Sequence, residues 1–379
     1  MGSADSDYPL SGHSGQPELT PSAHTLAAPG SEEASAYARC VGSTVNRRSV
    51  TSTTARNGGE GRSSMSPRLR PGDLVEVRPA AEILATLDAD GTLDGLPFMP
   101  EMVEACGASF RVASHAFKTC MSGSGPSTMR QLRSADVFTL ESIRCSGAAH
   151  DGCQKGCLVF WRTEWLKPTA DSASSRPPSP ASGPLLRALK TTVGPNRYFC
   201  QASELTRYTT PLSRLGRVTT CWRDLAAGNV SLFSLAGKLA TWGFWKARRR
   251  VRGEYAAGTH VATTPTASLA LQSGERVTVR PLEEIRTTTN KAAHNRGLYF
   301  SPDMAKLPAA PCRVLRRADK IIVDGTGEMR SLKNTVFLEG SYCGCAHVAF
   351  GGCPRQEFAY WREIWLQRAD SPQPRSENV

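Results

Sequence analysis

Alternating hydrophobic positions mark the start of two similar segments. Val75 and Val77 in the first segment, and Val277 and Val279 in the second, alternate with the period of two that predicts a β-strand. A proline follows each strand, at Pro79 and Pro281, where a short helix is expected to begin. Further short strand candidates, separated by Gly, Asp and Asn turns, follow in both segments. The pattern therefore predicts a mainly β fold with some α, in which each segment is a small, strongly bent antiparallel barrel.

The likeness between the two segments continues in the same order and with the same spacing. The matching stretches include GLPFMPEM (95–102) with GLYFSPDM (297–304), and FWRTEWL (160–166) with YWREIWL (360–366). We therefore expect two copies of one domain, repeat 1 at residues 71–168 and repeat 2 at residues 273–368. The opening GDLVEVR (72–78) also resembles the first strand of the KOW and Tudor small barrels.

The remaining residues have different compositions. Residues 1–70 are rich in Ser, Gly, Thr and Pro, which predicts a disordered tail in which Met65 is an alternative start. The other predicted segments are a linker (169–192), a central helical region flanked by the two repeats (193–255) and a C-terminal tail (369–379).

The central region contains one long helical pattern. SLFSLAGKLATWGFWKARRRVR (231–252) places Leu232, Leu235, Leu239 and Trp242 near one helix face and ends in a basic run. We interpret it as a core helix whose cationic end complements the helix dipole. The alternative is a helix that lies in a membrane interface.

The net charge and the absence of targeting signals in the sequence indicate which partners and which location to expect. Lys and Arg number 46 against 34 Asp and Glu, and the net charge of +12 favours an acidic partner. No apolar run is long enough for a transmembrane segment, and the polar N-terminus does not have the pattern of a secretory signal. The expected location is therefore the cytoplasm. The usual nucleotide-binding and serine-hydrolase motifs do not occur.

The twelve cysteines are the main chemical signal, because in the cytoplasm clustered cysteines indicate metal ligands more often than disulfides. Within CSGAAHDGCQKGC (145–157), one loop could supply all four ligands of an ion. Those ligands are Cys145, His150, Cys153 and Cys157. Cys120, from a neighbouring predicted strand, offers a four-thiolate set that leaves His150 free. Zinc is the favoured cofactor and an iron–sulfur cluster the alternative. The competing interpretations are cysteines packed as apolar groups and a transient thiol–disulfide site.

Several other residues are candidates for chemistry. Repeat 2 offers a second, weaker metal site made of Cys343, Cys345, His347 and Cys353. The catalytic candidates are His150 and Cys200, although no histidine lies in the central region to activate the thiol. Arg130 and Arg330 recur in both repeats and could bind an anion, with solvated charge as the alternative.

The strings GLPFMPEM, RCSGAAHDGCQKGCLVFWRTEWL (144–166) and YWREIWL resemble those of an uncharacterised group of bacterial two-repeat proteins. The resemblance covers most of 71–368. It implies that the cysteine loop, the central CQASEL (200–205) and the closing YWREIWL belong to one architecture. It supplies no activity.

These observations favour a metal-binding protein, with zinc or an iron–sulfur cluster, that acts in or beside a bacterial biosynthetic pathway as an accessory protein. Its partner would be an unidentified small molecule or protein. One alternative is a metalloenzyme that uses the repeat 1 centre on a small molecule. Another is a nucleic-acid-binding protein, which is less favoured because the aromatic residues are not interleaved with basic ones.

Overall fold

The computed structural model describes residues 69–122, 128–170, 182–261, 263–307, 311–343 and 354–369. Within these residues strands predominate and helices are fewer, as the alternating pattern predicted. Nearly all of the two predicted tails lies outside the described residues, as do Cys345, His347 and Cys353 of the weaker metal site.

The secondary-structure elements are short. The strands before the central region are β1 (Leu74–Val77), β2 (Thr92–Leu93), β3 (Leu96–Pro97), β4 (Ser109–His115), β5 (Lys118–Met121), β6 (Thr128–Leu132), β7 (Val137–Arg144), β8 (Leu158–Arg162) and β9 (Leu166–Pro168). Those of the central region are β10 (Thr192–Gly194), β11 (Arg197–Tyr198) and β12 (Thr209–Pro211). Those after it are β13 (Arg276–Val279), β14 (His294–Asn295), β15 (Leu298–Tyr299), β16 (Cys312–Arg317), β17 (Lys320–Ile322), β18 (Met329–Ser331), β19 (Thr335–Leu338), β20 (Trp361–Arg362) and β21 (Leu366–Arg368).

Two kinds of helix connect the strands. The α-helices are α1 (Ala80–Leu84), α2 (Ser182–Ala188), α3 (Leu205–Tyr208), α4 (Arg214–Ala227), α5 (Leu232–Arg252) and α6 (Leu282–Arg286). The 3-10 helices are Pro100–Ala105, Thr163–Trp165, Met304–Lys306 and Glu363–Trp365. Helices α1 and α6 begin directly after Pro79 and Pro281, as predicted, because proline has the backbone angle of a helix start and needs no amide partner there.

Two five-stranded antiparallel sheets have the same strand order and register. One runs β8-β7-β4-β1-β9 and the other β20-β19-β16-β13-β21. Val75 pairs with Phe110 in the first sheet, and Val277 pairs with Cys312 in the second. Both members of the second pair lie 202 residues after their counterparts in the first. Both sheets also have an irregular register directly after the same valine position, Val112 or Val314.

The core of each sheet is built on one phenylalanine and two tryptophans. The Phe98 ring meets the edges of Trp161 and Trp165 at centroid distances of 6.0 and 5.1 Å. The equivalent distances from Phe300 are 6.0 Å to Trp361 and 5.2 Å to Trp365. All six rings are buried, so the tryptophans four residues apart are core residues.

The central region packs against repeat 1. Strand β12 extends the β6-β5 hairpin into a three-stranded sheet, and the fully buried Leu185 of α2 belongs to the first core. Part of the segment 169–192 that the composition predicted as a linker is therefore folded. Leu185 packs into the core of repeat 1, which composition does not reveal.

Helix α5 matches the predicted range but not its predicted environment. Of its described residues only Leu235 is buried, whereas Phe233 and Phe244 are exposed. The interpretation as a core helix was therefore wrong. Several of its large apolar side chains are instead exposed, among them Leu232, Phe233 and Phe244.

Candidate metal centre

The cysteine loop between β7 and β8 folds into tight turns because three of its glycines have positive φ angles. These angles are +75° at Gly147, +66° at Gly152 and +64° at Gly156. The amide of Cys145 donates to the carbonyl oxygen of Cys157 at 2.9 Å and closes the loop at its base. The loop therefore curls on itself, as the metal-ligand hypothesis requires.

The loop places His150 and Cys145 beside Glu101, which belongs to the 3-10 helix Pro100–Ala105. His150 Nδ1 lies 2.8 Å from Glu101 Oε1, and the Cys145 Sγ lies 3.8 Å from the same oxygen. The amide of Ala149 also donates to this oxygen at 3.3 Å. Among the described residues, this trio is the group whose donor atoms all lie within 4.8 Å of one another, and it could hold a metal ion.

The second nitrogen of His150 fixes the orientation of the ring. His150 Nε2 lies 3.0 Å from the carbonyl oxygen of Phe199, which can only accept, so Nε2 carries a proton and donates it. A histidine that binds a metal typically donates its other ring N–H to a carbonyl or carboxylate in this way. The arrangement therefore presents Nδ1 to Glu101 and Cys145.

Glu101 supplies an unsatisfied acceptor. Its Oε2 atom is buried and has no hydrogen-bond partner among the described residues, although most buried side-chain oxygens have one. Burial by itself would raise the pKa of Glu101, but the hydrogen bond and charge of His150 lower it below its usual range. An ionised, partly unpaired carboxylate in a buried setting is a site at which a cation is stabilised.

The separations fit a small ion. At bond lengths of about 2.0 Å to N or O and 2.3 Å to S, the ligand atoms of tetrahedral zinc lie ~3.3–3.8 Å apart. The distance from Cys145 Sγ to Glu101 Oε1, 3.8 Å, already falls in this range. The distance from His150 Nδ1 to the same oxygen, 2.8 Å, would increase by about 0.5 Å around an ion. The residues present therefore fit zinc.

Three further thiols line one cavity with Cys145 and His150, namely those of Cys153, Cys157 and Cys200. The cavity has a volume of about 30 Å³, which is enough for an ion or a few waters. Burial raises the pKa of Cys157 to about 12 and that of Cys200 to about 11. Both thiols are therefore protonated at neutral pH, unlike the low-pKa thiol of a nucleophile.

The other predicted metal-binding and anion-binding residues lie outside this trio. Cys120 lies on β5, and its carbonyl oxygen accepts from the Arg355 guanidinium at 3.3 Å. The Arg130 guanidinium donates to Thr209 on β12, and Arg330 lies on β18. Cys343 is exposed, and the other residues of the weaker metal site lie outside the described residues.

Glu101 was not among the predicted site residues, although it lies in the matching stretch GLPFMPEM (95–102). The available signal was the acidic residue that both repeats have at this position, Glu101 and Asp303. In repeat 2, Asp303 pairs with the exposed Lys306 at 2.6 Å. Position alone therefore did not distinguish a candidate ligand from a carboxylate that pairs with a lysine.

A buried network of four charges adjoins the cavity and connects the two repeats. Lys155 of the cysteine loop pairs with Asp324, and Arg355 contacts both oxygens of Asp324 at 3.1 Å. Arg355 also lies 2.8 Å from Glu357 and donates to the Cys157 Sγ at 3.2 Å. The loop of repeat 1 thus packs against residues of repeat 2.

Comparison with known proteins gives no match: no family model, curated protein or solved structure corresponds to this chain. The similarity to bacterial two-repeat proteins therefore remains an expectation. No helix in the described part of the chain is long and apolar enough to cross a membrane.

Proposed function

We propose that the protein is a metal-binding protein in which Glu101, Cys145 and His150 hold one zinc ion. The observation that supports this most directly is the buried trio itself. Its histidine is oriented through the Phe199 carbonyl, and its carboxylate has an unpartnered oxygen. Cys153, Cys157 and Cys200 line a cavity together with Cys145 and His150 and are candidates for the remaining ligand position.

The ligand types favour zinc over an iron–sulfur cluster. The trio offers one oxygen, one nitrogen and one sulfur donor, a mixture typical of zinc. A cluster is usually held by four thiolates, whereas the close group of ligand atoms among the described residues contains one sulfur, that of Cys145.

The position of the site favours a structural role. An ion there would join the 3-10 helix Pro100–Ala105, the cysteine loop and, through the His150 ring, the segment at Phe199. The small volume of the cavity suits an ion rather than an organic substrate. In this proposal the metal stabilises repeat 1 for an accessory role, and action beside a biosynthetic pathway remains a prediction.

The proposal includes the tandem barrel architecture. We infer that each five-stranded sheet curls into a small barrel. In each sheet the first strand of the repeat pairs with the last, and a short 3-10 helix connects that last strand to the strand at the opposite edge of the sheet. The shared register supports two copies of one domain. A solution structure with barrel closure in one repeat only would contradict this inference.

The experiment is elemental analysis of protein purified without oxygen, compared among Glu101→Gln, Cys145→Ser and His150→Gln variants. We expect about one zinc per chain in the parent and a loss of most of it in each variant. The matched control is Asp303→Asn, at the equivalent position of repeat 2, which should keep its zinc. Metal-free parent protein, iron with sulfide, or unchanged zinc in all three variants would contradict the proposal.

Cys153→Ser tests whether the rest of the loop contributes. The Cys153 Sγ is buried and accepts from the amide of Ile322 at 3.3 Å, so serine should lower both the bound zinc and the stability, the latter by ~1–3 kcal/mol. Cys353→Ser in repeat 2 should have little effect on either quantity. Equal losses in the two variants, measured by elemental analysis and denaturant unfolding, would refute this asymmetry.

A further inference from the structure

The central region presents two consecutive helices whose ends are fixed by the sequence. The Ser213 hydroxyl caps α4 by accepting from Gly216, and the Ser231 hydroxyl caps α5 by accepting from Ser234. Gly228, with a φ angle of +81°, ends α4 and allows the chain to turn. The two helices are therefore well-defined elements.

Each helix has a stripe of exposed apolar side chains. On α5, Phe233 is 89%, Phe244 61% and Val251 83% exposed. At 100° per residue these three positions lie within about 20° of one another around the axis. On α4, a second stripe follows the spacing i, i+3, i+7, and its members are Leu215, Val218 and Trp222. Exposed apolar side chains arranged in stripes indicate an interaction surface.

The same helices contain most of the net charge of the protein. Residues 214–252 include nine Lys or Arg and one Asp, a net charge of +8 against +12 for the whole chain. The single acid, Asp224, is buried and paired with Lys118, so it does not neutralise the surface. Helix α5 contains six basic residues and no acidic one: Lys238, Lys246, Arg248, Arg249, Arg250 and Arg252.

We propose that α4 and α5 dock on an anionic phospholipid surface. The exposed stripe of α5 would enter the boundary between head groups and acyl chains, and the flanking basic side chains would reach the lipid phosphates. The charge of these helices complements a membrane that contains anionic lipid, where each basic residue adds to the attraction. A nucleic acid would also match the charge, but its backbone offers no partner for Phe233, Phe244 and Val251.

Vesicle flotation tests the proposal, with phosphatidylcholine vesicles compared with vesicles that contain 30% phosphatidylglycerol. We expect the full chain to bind the anionic vesicles and to bind neutral ones at least tenfold more weakly. The double variant Phe233→Ser with Phe244→Ser should reduce binding to anionic vesicles at least tenfold, because it removes the inserted side chains. Arg250→Gln with Arg252→Gln should reduce it about 25-fold, at about fivefold for each charge.

Two controls separate this surface from other features. Val261→Ser changes an equally exposed valine outside both helices and should leave vesicle binding unchanged. Glu101→Gln should also bind vesicles normally, because the docking surface does not depend on the proposed metal centre.

Three results would overturn the docking proposal. The first is equal binding to neutral and anionic vesicles, or binding to neither. The second is unchanged binding in the double phenylalanine variant. The third is an alternative occupant: a dimer that the phenylalanine variant dissociates, or preference for a polynucleotide over the anionic vesicles.

Discussion

At the scale of single residues, glycine geometry determines whether the cysteine loop can form. Gly147 lies two residues after Cys145, and its φ angle of +75° is costly for any residue with a side chain. A Cβ atom there would lie 2.7 Å from the backbone nitrogen of Cys153, a contact that the backbone must move to relieve. The loop that brings Cys145 and His150 to Glu101 therefore requires glycine at this position.

We expect Gly147→Ala to reduce both bound zinc and stability. The matched control is Gly107→Ala, which has a φ angle of +80° but open space around the added atom. In both variants the positive φ angle should lower the free energy of unfolding by ~1–2 kcal/mol. The collision with Cys153 should lower it by a further ~1–3 kcal/mol in Gly147→Ala. Denaturant unfolding and elemental analysis measure the two effects. Equal losses in both variants would show that the collision at Cys153 is relieved without disturbing the site.

At the scale of elements, buried charges hold the cysteine loop against repeat 2. Asp324 follows β17 and accepts from Lys155 and Arg355, and its Oδ2 also accepts from the amide of Ser122 at 2.8 Å. Burial by itself would raise the pKa of Asp324, but Arg355 and Lys155 lower it below the ordinary value of 3.8. The aspartate is therefore ionised in the folded protein, and its charge balances two buried cations.

Replacing Asp324 with Asn should lower the free energy of unfolding by ~3–5 kcal/mol, because Lys155 and Arg355 would lose a buried counter-charge. The exposed pair of Arg78 and Glu82 is the control, and Glu82→Gln should cost at most ~0.5 kcal/mol. A depressed pKa in the folded state means that the stabilisation is present above about pH 4 and decreases as the pH falls below it. The Asn variant should therefore show a flatter stability profile in that range, and a profile as steep as that of the parent would contradict the assignment.

At the scale of the whole molecule, two equivalent cores are linked by the loop. Each core places a phenylalanine against two tryptophans, and each second tryptophan donates its ring N–H to a threonine hydroxyl. These donors are Trp165 to Thr86, at 3.0 Å, and Trp365 to Thr288, at 3.1 Å. The amide of Gln154 in the loop donates to the carbonyl oxygen of Lys320 at 3.0 Å, so the loop of repeat 1 is bonded directly to repeat 2.

Phe98→Ala and Phe300→Ala should each lower the free energy of unfolding by ~3–5 kcal/mol, because each empties an equivalent, fully buried ring position. Only Phe98→Ala should reduce bound zinc, since Phe98 lies three residues before Glu101. We expect both variants to unfold in a single transition with coincident fluorescence and circular dichroism midpoints. Two separate transitions would show that the repeats unfold independently.

The sequence alone determined the features that depend on local pattern. Alternation located β1 and β13, proline located the starts of α1 and α6, and the helical period located α5 to within one residue of its observed start. The matching stretches identified the tryptophan positions of both cores. These features can be predicted from the sequence because the burial of a side chain follows the period of its own strand or helix.

Only the tertiary structure decided which distant groups meet. It brought Glu101 to His150 across 49 residues, and it placed the Phe199 carbonyl, beside Cys200, on the other nitrogen of the ring. It also left α5 largely exposed, although its apolar content predicted a core helix. Local periodicity gives the face on which a residue lies, whereas the partner of that face depends on how separate segments pack, and no short-range pattern encodes that packing.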